Sequence, residues 1–304
     1  MRMALRSWVD DGTRTYLLFH IPGGWHLLQL ARRGERPEWD LVYMSPAEAS
    51  FLQNITPWQD LLSRILREAL HRGVYRLYVS PPADSPFQSV FQELGFRPYT
   101  RERVYTWQSD APGETGIPSP RPRTPELRWH FSRLWQQVTP SLVIAAETLN
   151  ANGLMIPYAW ADRAGQRVFV QLDDGDVVGA VALRKGKRGC WARLLLAPGA
   201  KETGQELVEW LVGQKGTCAR RPLFVAVREY QGTEQEVLRE RGFRLYDTRV
   251  HMVRHLALPL SADERVSEGL LALAGLGGEP VYSRSWEGEP VTARSTQTFS
   301  SPPT

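Results

Sequence analysis

The chain has 304 residues, which at roughly 150 residues per domain indicates two domains. Hydrophobic residues make up 42% of the chain, charged residues 23% and aromatic residues 10%, which excludes fibrous, collagen-like and wholly disordered proteins. The formal charge of +4 comes from 37 basic and 33 acidic residues without a dense basic cluster, so nothing indicates a nucleic-acid partner.

The compartment follows from the cysteines and from the hydrophobic runs. Cys190 and Cys218 cannot build a disulfide framework, and neither has the spacing of a metal site. No apolar run approaches the roughly 18 residues of a membrane span. We therefore expect a cytoplasmic protein with no metal and no membrane partner. The oligomeric state is left open.

The predicted elements alternate between strands and helices along two stretches of the chain. The first stretch has a hairpin over 16–33, a helix Trp58–His71, a strand Arg76–Ser80 and a helix Pro86–Leu94. The second has helical segments over Glu126–Asn150, strands Val168–Leu172, Val177–Leu183 and Trp191–Leu196, a helix Glu202–Val212, a strand Leu223–Val227, a helix Gly232–Arg241 and a strand Arg244–Arg254. The order predicts an α/β chain with a mixed, α+β type of sheet.

Two changes of composition divide the chain. Five prolines between Ser109 and Pro125 are too close together for a helix or a central strand, which predicts a linker over 109–125. Residues 259–304 are rich in Ser, Thr, Gly, Pro and Glu, and we expect a mostly disordered tail there. Two folded domains remain, 1–108 and 126–258, which we call the first and the second segment.

The two segments resemble each other. VFQELGFRPY (90–99) aligns with VLRERGFRLY (237–246), and five of the last seven positions are identical at an offset of 147 residues. Two earlier landmarks repeat in the same order: the hairpins 16–33 and 167–184, and the strands 39–46 and 191–198, each ending in proline. The sequence therefore predicts one fold used twice.

The second segment resembles the GNAT superfamily, the Gcn5-related N-acetyltransferases, in its hairpin DGDVVGAVAL, its strand WARLLLAP, its helix ETGQELVEWL, its strand LFVAV and its join LRERGFRLY. The resemblance implies tandem GNAT-like domains, of which the first is degenerate and lacks the leading helices. It also implies acetyl-CoA as co-substrate, held between the fourth and fifth strands, with pantetheine on the strand edge and pyrophosphate at the next helix N-terminus. The residues that correspond to this site are Leu195, Leu196, Ala197, Gly199, Lys201, Thr203, Gly204 and Gln205.

A pyrophosphate site needs glycines and free backbone N–H groups at the start of a helix. The second segment offers a partial match, with Gly199, Gly204 and Lys201 in a shortened loop. The first segment has no glycine over 46–60, so we do not expect acetyl-CoA there.

The residues for the chemistry are incomplete. The family often places a Tyr acid four residues before the Gly-Phe join, where this chain has Phe91 and Leu238. Tyr230 and Glu229 are the nearest substitutes as catalytic residues; alternatively, Tyr230 only packs the loop. Trp129, Trp135 and Trp160 lie where the family binds its acceptor. His251 and His255 are four residues apart in a predicted strand, too far apart for one metal.

Two hypotheses follow. The chain is a GNAT-like N-acyltransferase that moves an acetyl group from acetyl-CoA to a small-molecule or peptide amine, with the second segment as the active copy. Alternatively, both acetyl-CoA sites have decayed, and the duplicated fold is a non-catalytic interaction or ligand-binding protein.

Overall fold

The structure is a computed structural model that describes residues 4–10, 14–21, 24–34, 36–45, 56–107, 119–148, 156–163, 165–186, 189–214 and 222–256. The predicted tail, most of the predicted linker, the loop 46–55 and Cys218 lie outside the described residues.

The first segment contains six strands and two helices in its described part. They are β1 (Ala4–Asp10), β2 (Arg14–Ile21), β3 (Gly24–Arg32), β4 (Glu38–Ser45), α1 (Thr56–His71), β5 (Arg76–Val79), α2 (Phe87–Glu93) and β6 (Arg97–Trp107). Strand β1 precedes the hairpin at which we expected the segment to begin. It pairs antiparallel with β2.

The second segment follows the predicted order. Its elements are β7 (Arg121–Pro122), α3 (Arg128–Val138), α4 (Ser141–Glu147), a 3₁₀ turn (Tyr158–Trp160), β8 (Gln166–Asp173), β9 (Asp176–Lys185), β10 (Cys190–Leu196), α5 (Lys201–Gly213), β11 (Leu223–Arg228), α6 (Gly232–Glu240) and β12 (Arg244–His255). The mixed α/β fold class is thus confirmed. Strand β7 lies inside the predicted linker and pairs only with β8, at the edge of the sheet, where a proline is tolerated.

The turn between β8 and β9 shows how local sequence sets this fold. Asp174 has φ 46° and Gly175 has φ 86°, the two positive values that a type I′ hairpin turn requires. Asp and Gly tolerate this conformation better than other residues, because Gly has no Cβ and Asp can bond its own backbone. The hairpin signal in the sequence is confirmed.

The repeated Gly-Phe join is a Schellman motif in both segments. Gly95 and Gly242 follow α2 and α6 with φ values of 83° and 96°. The Phe96 N–H donates to the Phe91 oxygen and the Phe243 N–H to the Leu238 oxygen, each at 2.9 Å. Phe91 and Leu238 are buried at the start of these motifs, so the positions that lack the family's Tyr belong to the cores.

The twelve strands of the described residues form one sheet, in the order β1-β2-β3-β4-β5-β12-β6-β11-β10-β9-β8-β7. The last strand of each segment pairs with the other segment: β6 lies antiparallel to β11, and β12 lies antiparallel to β5. The two exchanged strands also pair with each other. The predicted domain boundaries stay a prediction, but the two segments share a sheet through reciprocal strand exchange.

Four apolar clusters of described residues flank this sheet, and the smallest of them includes Tyr78, Tyr99 and Val253. Helices α1 and α2 pack on the first segment around Trp58, and α5 and α6 pack on the second around Leu207 and Val208. Helix α3 covers the opposite face of the second segment with Phe131 and Trp135. Trp39 on β4 is buried in the first of these cores.

Two findings bear on the compartment. Cys190 is disulfide-bonded, and its partner falls outside the described residues, so the cysteines no longer support a reducing compartment. A cytoplasmic location stays a prediction. None of the helices in the described ranges is both long enough and apolar enough to cross a membrane.

Candidate functional site

The candidate site lies where the parallel strands β10 and β11 separate. Their pairing runs from Cys190 opposite Leu223 to Arg193 opposite Ala226 and then stops, although β10 continues to Leu196. A gap between two parallel strands beyond their last pair is the feature that the GNAT resemblance implied. It lies at the carboxyl ends of the strands, where open sheets of this kind bind ligands.

A cavity of only about 10 Å³ marks this gap, about the space of one water molecule. Its wall includes Trp135 and Trp160 from the leading helical region, which places two of the three predicted acceptor-side tryptophans here. The third, Trp129, is 59% exposed and does not line this cavity.

The predicted donor residues lie at the end of β10 and the start of α5. Leu195 and Leu196 are buried, whereas Ala197 and Gly199 lie in the turn that follows. Gly199 is exposed and has φ 80°. Ala200 occupies the N-cap of α5 and no side chain caps this end. The first N–H groups of α5 therefore form a ready anion-binding position.

Lys201 and Gln205 contact the neighbouring helix. The Lys201 ammonium donates to the carboxylates of Glu236 and Glu240 at 2.8 and 2.7 Å, and the Gln205 amide nitrogen lies 3.5 Å from Glu240. The hydrogen bonds to these two carboxylates raise the pKa of Lys201 above its usual range. The loop lysine that we expected to face a phosphate thus joins α5 to α6.

Gly204 and Thr203 are helical residues rather than loop residues. The Gly204 N–H donates to the Ala200 oxygen within α5, so it is not the unobstructed amide that we expected. A Cβ on Gly204 would lie 2.6 Å from Leu196 Cδ1. Thr203 packs closely over Gly179 on β9, because a Cβ on Gly179 would lie 3.0 Å from the Thr203 methyl carbon. Small size at Gly204 is needed for packing α5 onto β10.

Of the two predicted catalytic residues, the structure brings only Tyr230 to the gap. Tyr230 is half-buried and lines the cavity, and burial raises its pKa to about 12. Its phenol is therefore protonated at neutral pH. Glu229 is exposed, and its carboxylate accepts a hydrogen bond from the Arg101 N–H at 3.2 Å.

A buried cluster of charged side chains, which the sequence did not predict, borders the gap. Glu102 on the exchanged strand β6 pairs with Arg193 on β10, while Glu147 on α4 accepts a hydrogen bond from Arg228 on β11 at 2.5 Å. Tyr99 also donates to Glu147, at 3.1 Å. Glu147, Arg193 and Arg228 line the cavity directly. No local pattern predicts the cluster, because its members come from both segments.

The charges in this cluster are mutually stabilised. Burial opposes ionisation of Glu102, but Arg193 foremost, with His251 and Arg228, holds its pKa well below the usual range. Burial likewise opposes the charge on Glu147, and Arg228 lowers its pKa. The same burial lowers the pKa of His251, whose ring contacts the Ser80 hydroxyl at 2.9 Å. His251 thus belongs to this cluster. Among the described residues, no group of His, Cys, Asp and Glu side chains could hold a metal ion.

Gln231 and Glu234 were not predicted as site residues either, although the sequence pattern of α6 contains a signal for Glu234. Both are nearly fully buried at the start of α6, and they bond the backbone of β10 inside the gap. Glu234 lies three and four residues before the core residues Val237 and Leu238, which places it on the buried face of an amphipathic helix. A carboxylate in that position indicates a polar contact below the helix.

A larger groove of about 820 Å³ lies at the other side of the second segment, around Phe169 and Trp210. These rings are in contact, with centroids 4.8 Å apart. No residue lining this groove lines the cavity at the gap, and none is a predicted site residue.

A scan of protein-family models finds no match to this sequence, and no curated protein matches it. Its structure resembles a GCN5-related N-acetyltransferase from Sphaerobacter thermophilus with a TM-score of 0.54 and 13% identity, over 83% of this chain and 84% of the other. A tandem GNAT protein from the clavulanic acid biosynthesis pathway has a TM-score of 0.48 and 13% identity, over 83% and 86%. A GCN5-related N-acetyltransferase from Kribbella flavida has a TM-score of 0.46 and 12% identity, over 82% and 89%. On the first of these similarities, this chain has the fold of the GCN5-related N-acetyltransferases.

Proposed function

We propose that the chain is an N-acyltransferase that moves an acetyl group from acetyl-CoA to an amine, with the second segment as its active copy. The observation that carries the proposal is the separation of β10 and β11 beyond Arg193, with Tyr230 at the gap. The GNAT fold supports the reaction class. The acceptor is a small-molecule or peptide amine.

The donor would lie along the end of β10, beside Leu195, Leu196 and Ala197. Its pyrophosphate would meet the uncapped N-terminus of α5 after Gly199, where the helix dipole favours an anion. Thr203, Gly204 and Gln205 lie in the first turns of that helix, whereas the ammonium of Lys201 pairs with Glu236 and Glu240.

The reaction transfers one proton from nitrogen to sulfur. The amine nitrogen attacks the thioester carbonyl, the C–S bond breaks, and the Tyr230 phenol donates its proton to the leaving thiolate. The phenolate then regains the proton that the new amide nitrogen loses. Burial raises the pKa of Tyr230 to about 12, so the phenol keeps its proton at neutral pH and can donate it to the thiolate. Glu229, the second predicted catalytic residue, precedes Tyr230 in the chain and is exposed to solvent.

The test combines calorimetric titration with acetyl-CoA and thiol release with a panel of amines. Tyr230→Phe should bind acetyl-CoA as the wild type does but release thiol about 100-fold more slowly, within the usual range of acid–base catalysis. Tyr246→Phe is the matched control, because Tyr246 is 61% exposed and does not line the cavity. Equal rates for Tyr230→Phe and wild type would remove Tyr230 from the mechanism.

Absence of binding at tens of micromolar protein, in the wild type and in the variants of the next subsection, would reject the acyltransferase. The non-catalytic alternative would then stand.

A further inference from the structure

The inference concerns the backbone groups of β10 beyond Arg193. Past this residue β10 has lost its parallel partner, and the groups that faced β11 need other hydrogen-bond partners, because buried unpaired N–H and C=O groups are costly. Two side chains from the start of α6 supply them.

Gln231 and Glu234 bridge the two separated strands with four hydrogen bonds. The Gln231 amide nitrogen donates to the Leu194 oxygen and to Glu234, each at 2.9 Å. The Leu196 N–H donates to the Glu234 carboxylate at 3.0 Å, and the Arg228 N–H donates to the Gln231 oxygen at 2.6 Å. We call this pair the Gln231–Glu234 brace.

The brace fills the gap. Gln231 is 6% and Glu234 4% exposed, and the cavity left beside them is about 10 Å³. The β10 groups open to an extended ligand beyond the last strand pair are the Leu194 oxygen and the Leu196 N–H, so a ligand with amide groups that pairs with this edge would use them. Such a ligand and the brace cannot use these groups together.

The brace can be displaced at moderate cost. Both groups that donate to Glu234 Oε1 are neutral N–H donors, whereas Glu102 and Glu147 pair with arginines. A buried carboxylate without a paired cation is poorly compensated for its lost hydration. Gln231 is the N-cap of α6 and Glu234 lies in its first turn, so both side chains can change rotamer while the backbone hydrogen bonds of the helix stay in place.

We propose that the Gln231–Glu234 brace is an autoinhibitory contact, which closes the donor groove of the second segment and is displaced when the acyl donor binds. This proposal rests on the proposed function, because it takes acetyl-CoA as the donor.

The experiment measures acetyl-CoA binding to the full chain by calorimetry. Gln231→Ala removes three of the four hydrogen bonds, and Glu234→Ala removes two. We expect each to tighten the dissociation constant at least tenfold, because the groove no longer has to be vacated. Glu234→Gln, which keeps an oxygen acceptor for both donors, should tighten binding less than Glu234→Ala.

Gln235→Ala is the matched control. Gln235 is also buried on α6, and its amide donates to the Arg228 and Glu229 oxygens at 3.1 and 3.2 Å, but none of its side-chain hydrogen bonds within the described residues reaches β10. Its removal should leave the dissociation constant unchanged. Circular dichroism melting checks the folding of each variant, and Gln231→Ala carries the test if Glu234→Ala does not fold.

Three outcomes decide the matter. Tighter binding in both brace variants and not in Gln235→Ala supports the brace. Unchanged or weaker binding in them, or equal tightening in Gln235→Ala, overturns the brace while acetyl-CoA binding to the wild type still supports the proposed function. Absence of binding in the wild type and in all four variants rejects both proposals.

Discussion

The two segments share one helix-to-strand join but differ in the helix that leads to it. In both, a Schellman motif ends the helix at Gly95 or Gly242. The repeated acidic residue also has a matching role, because Glu93 accepts a hydrogen bond from Gln59 on α1 and Glu240 accepts one from Lys201 on α5. The repeat therefore preserves the packing between the paired helices of each segment.

The segments differ at the helix position that lies eight residues before the glycine of this join. At the offset of 147 residues, Phe87 in the first segment corresponds to Glu234 in the second. Phe87 packs edge-on against Trp58 in the apolar core, with ring centroids 5.8 Å apart. Glu234 instead bonds the backbone of β10. One helix position thus holds a core residue in one copy and closes the strand gap in the other, while the backbone framework stays the same.

The largest effect should come from separating the segments. A protease site inserted within 109–118 should leave the two halves associated after cleavage, because β6 pairs with β11 and β12 pairs with β5. Residues 1–108 expressed alone should show no cooperative unfolding as a monomer, since their sheet lacks β12. Size-exclusion chromatography and thermal melting check this. An autonomously folded monomer of 1–108 would contradict the shared sheet.

A large but local effect should follow Phe87→Ala. Truncation of a buried aromatic residue costs about 3–5 kcal/mol of unfolding free energy, through lost burial and the cavity left behind. Urea denaturation measures the loss. Glu68→Ala, in an exposed pair with Arg72 in the same segment, should cost less than about 1 kcal/mol and is the control. If Phe87→Ala lost less than about 1 kcal/mol of unfolding free energy, as expected for the control, Phe87 would not be a core residue of the first segment.

The smallest effect should come from Glu234→Gln, and it should have the opposite sign. Burial raises the pKa of Glu234, so the folded chain binds its proton more tightly than the unfolded chain does. This carboxyl therefore lowers stability increasingly as the pH rises above its ordinary pKa of 4.5. Glu234→Gln should be more stable than wild type at pH 7, and the difference should shrink towards pH 4. Urea midpoints at both pH values test this, and a stability gain that does not depend on pH would argue against a buried charge.

Several parts of the fold could be predicted because their causes are local. Asp174 and Gly175 specify a hairpin turn within four residues, and Gly95 and Gly242 end their helices by tolerating positive φ. The apolar spacing in α5 also marked its position correctly. The repeat itself was visible because both copies keep these same local signals.

The contents of the gap could not be predicted so well. Glycine at 204 fitted a phosphate loop in sequence, but the structure places it inside α5, which begins three residues earlier, and against Leu196. Lys201 fitted the same loop and bonds two carboxylates 35 and 39 residues later in the chain. A residue type that suits a ligand also suits packing, and only the neighbours distinguish the two.

The sequence by itself determined the order of the elements, the repeat and the turns, because these depend on contacts within a few residues. Only the tertiary structure decided that β6 and β12 are exchanged, since both strands have an apolar pattern that fits either sheet. The exchange brings Glu102 to Arg193, 91 positions away, and so creates the buried charges beside the gap. Such contacts join distant parts of the chain, and their partners are not visible in any local pattern.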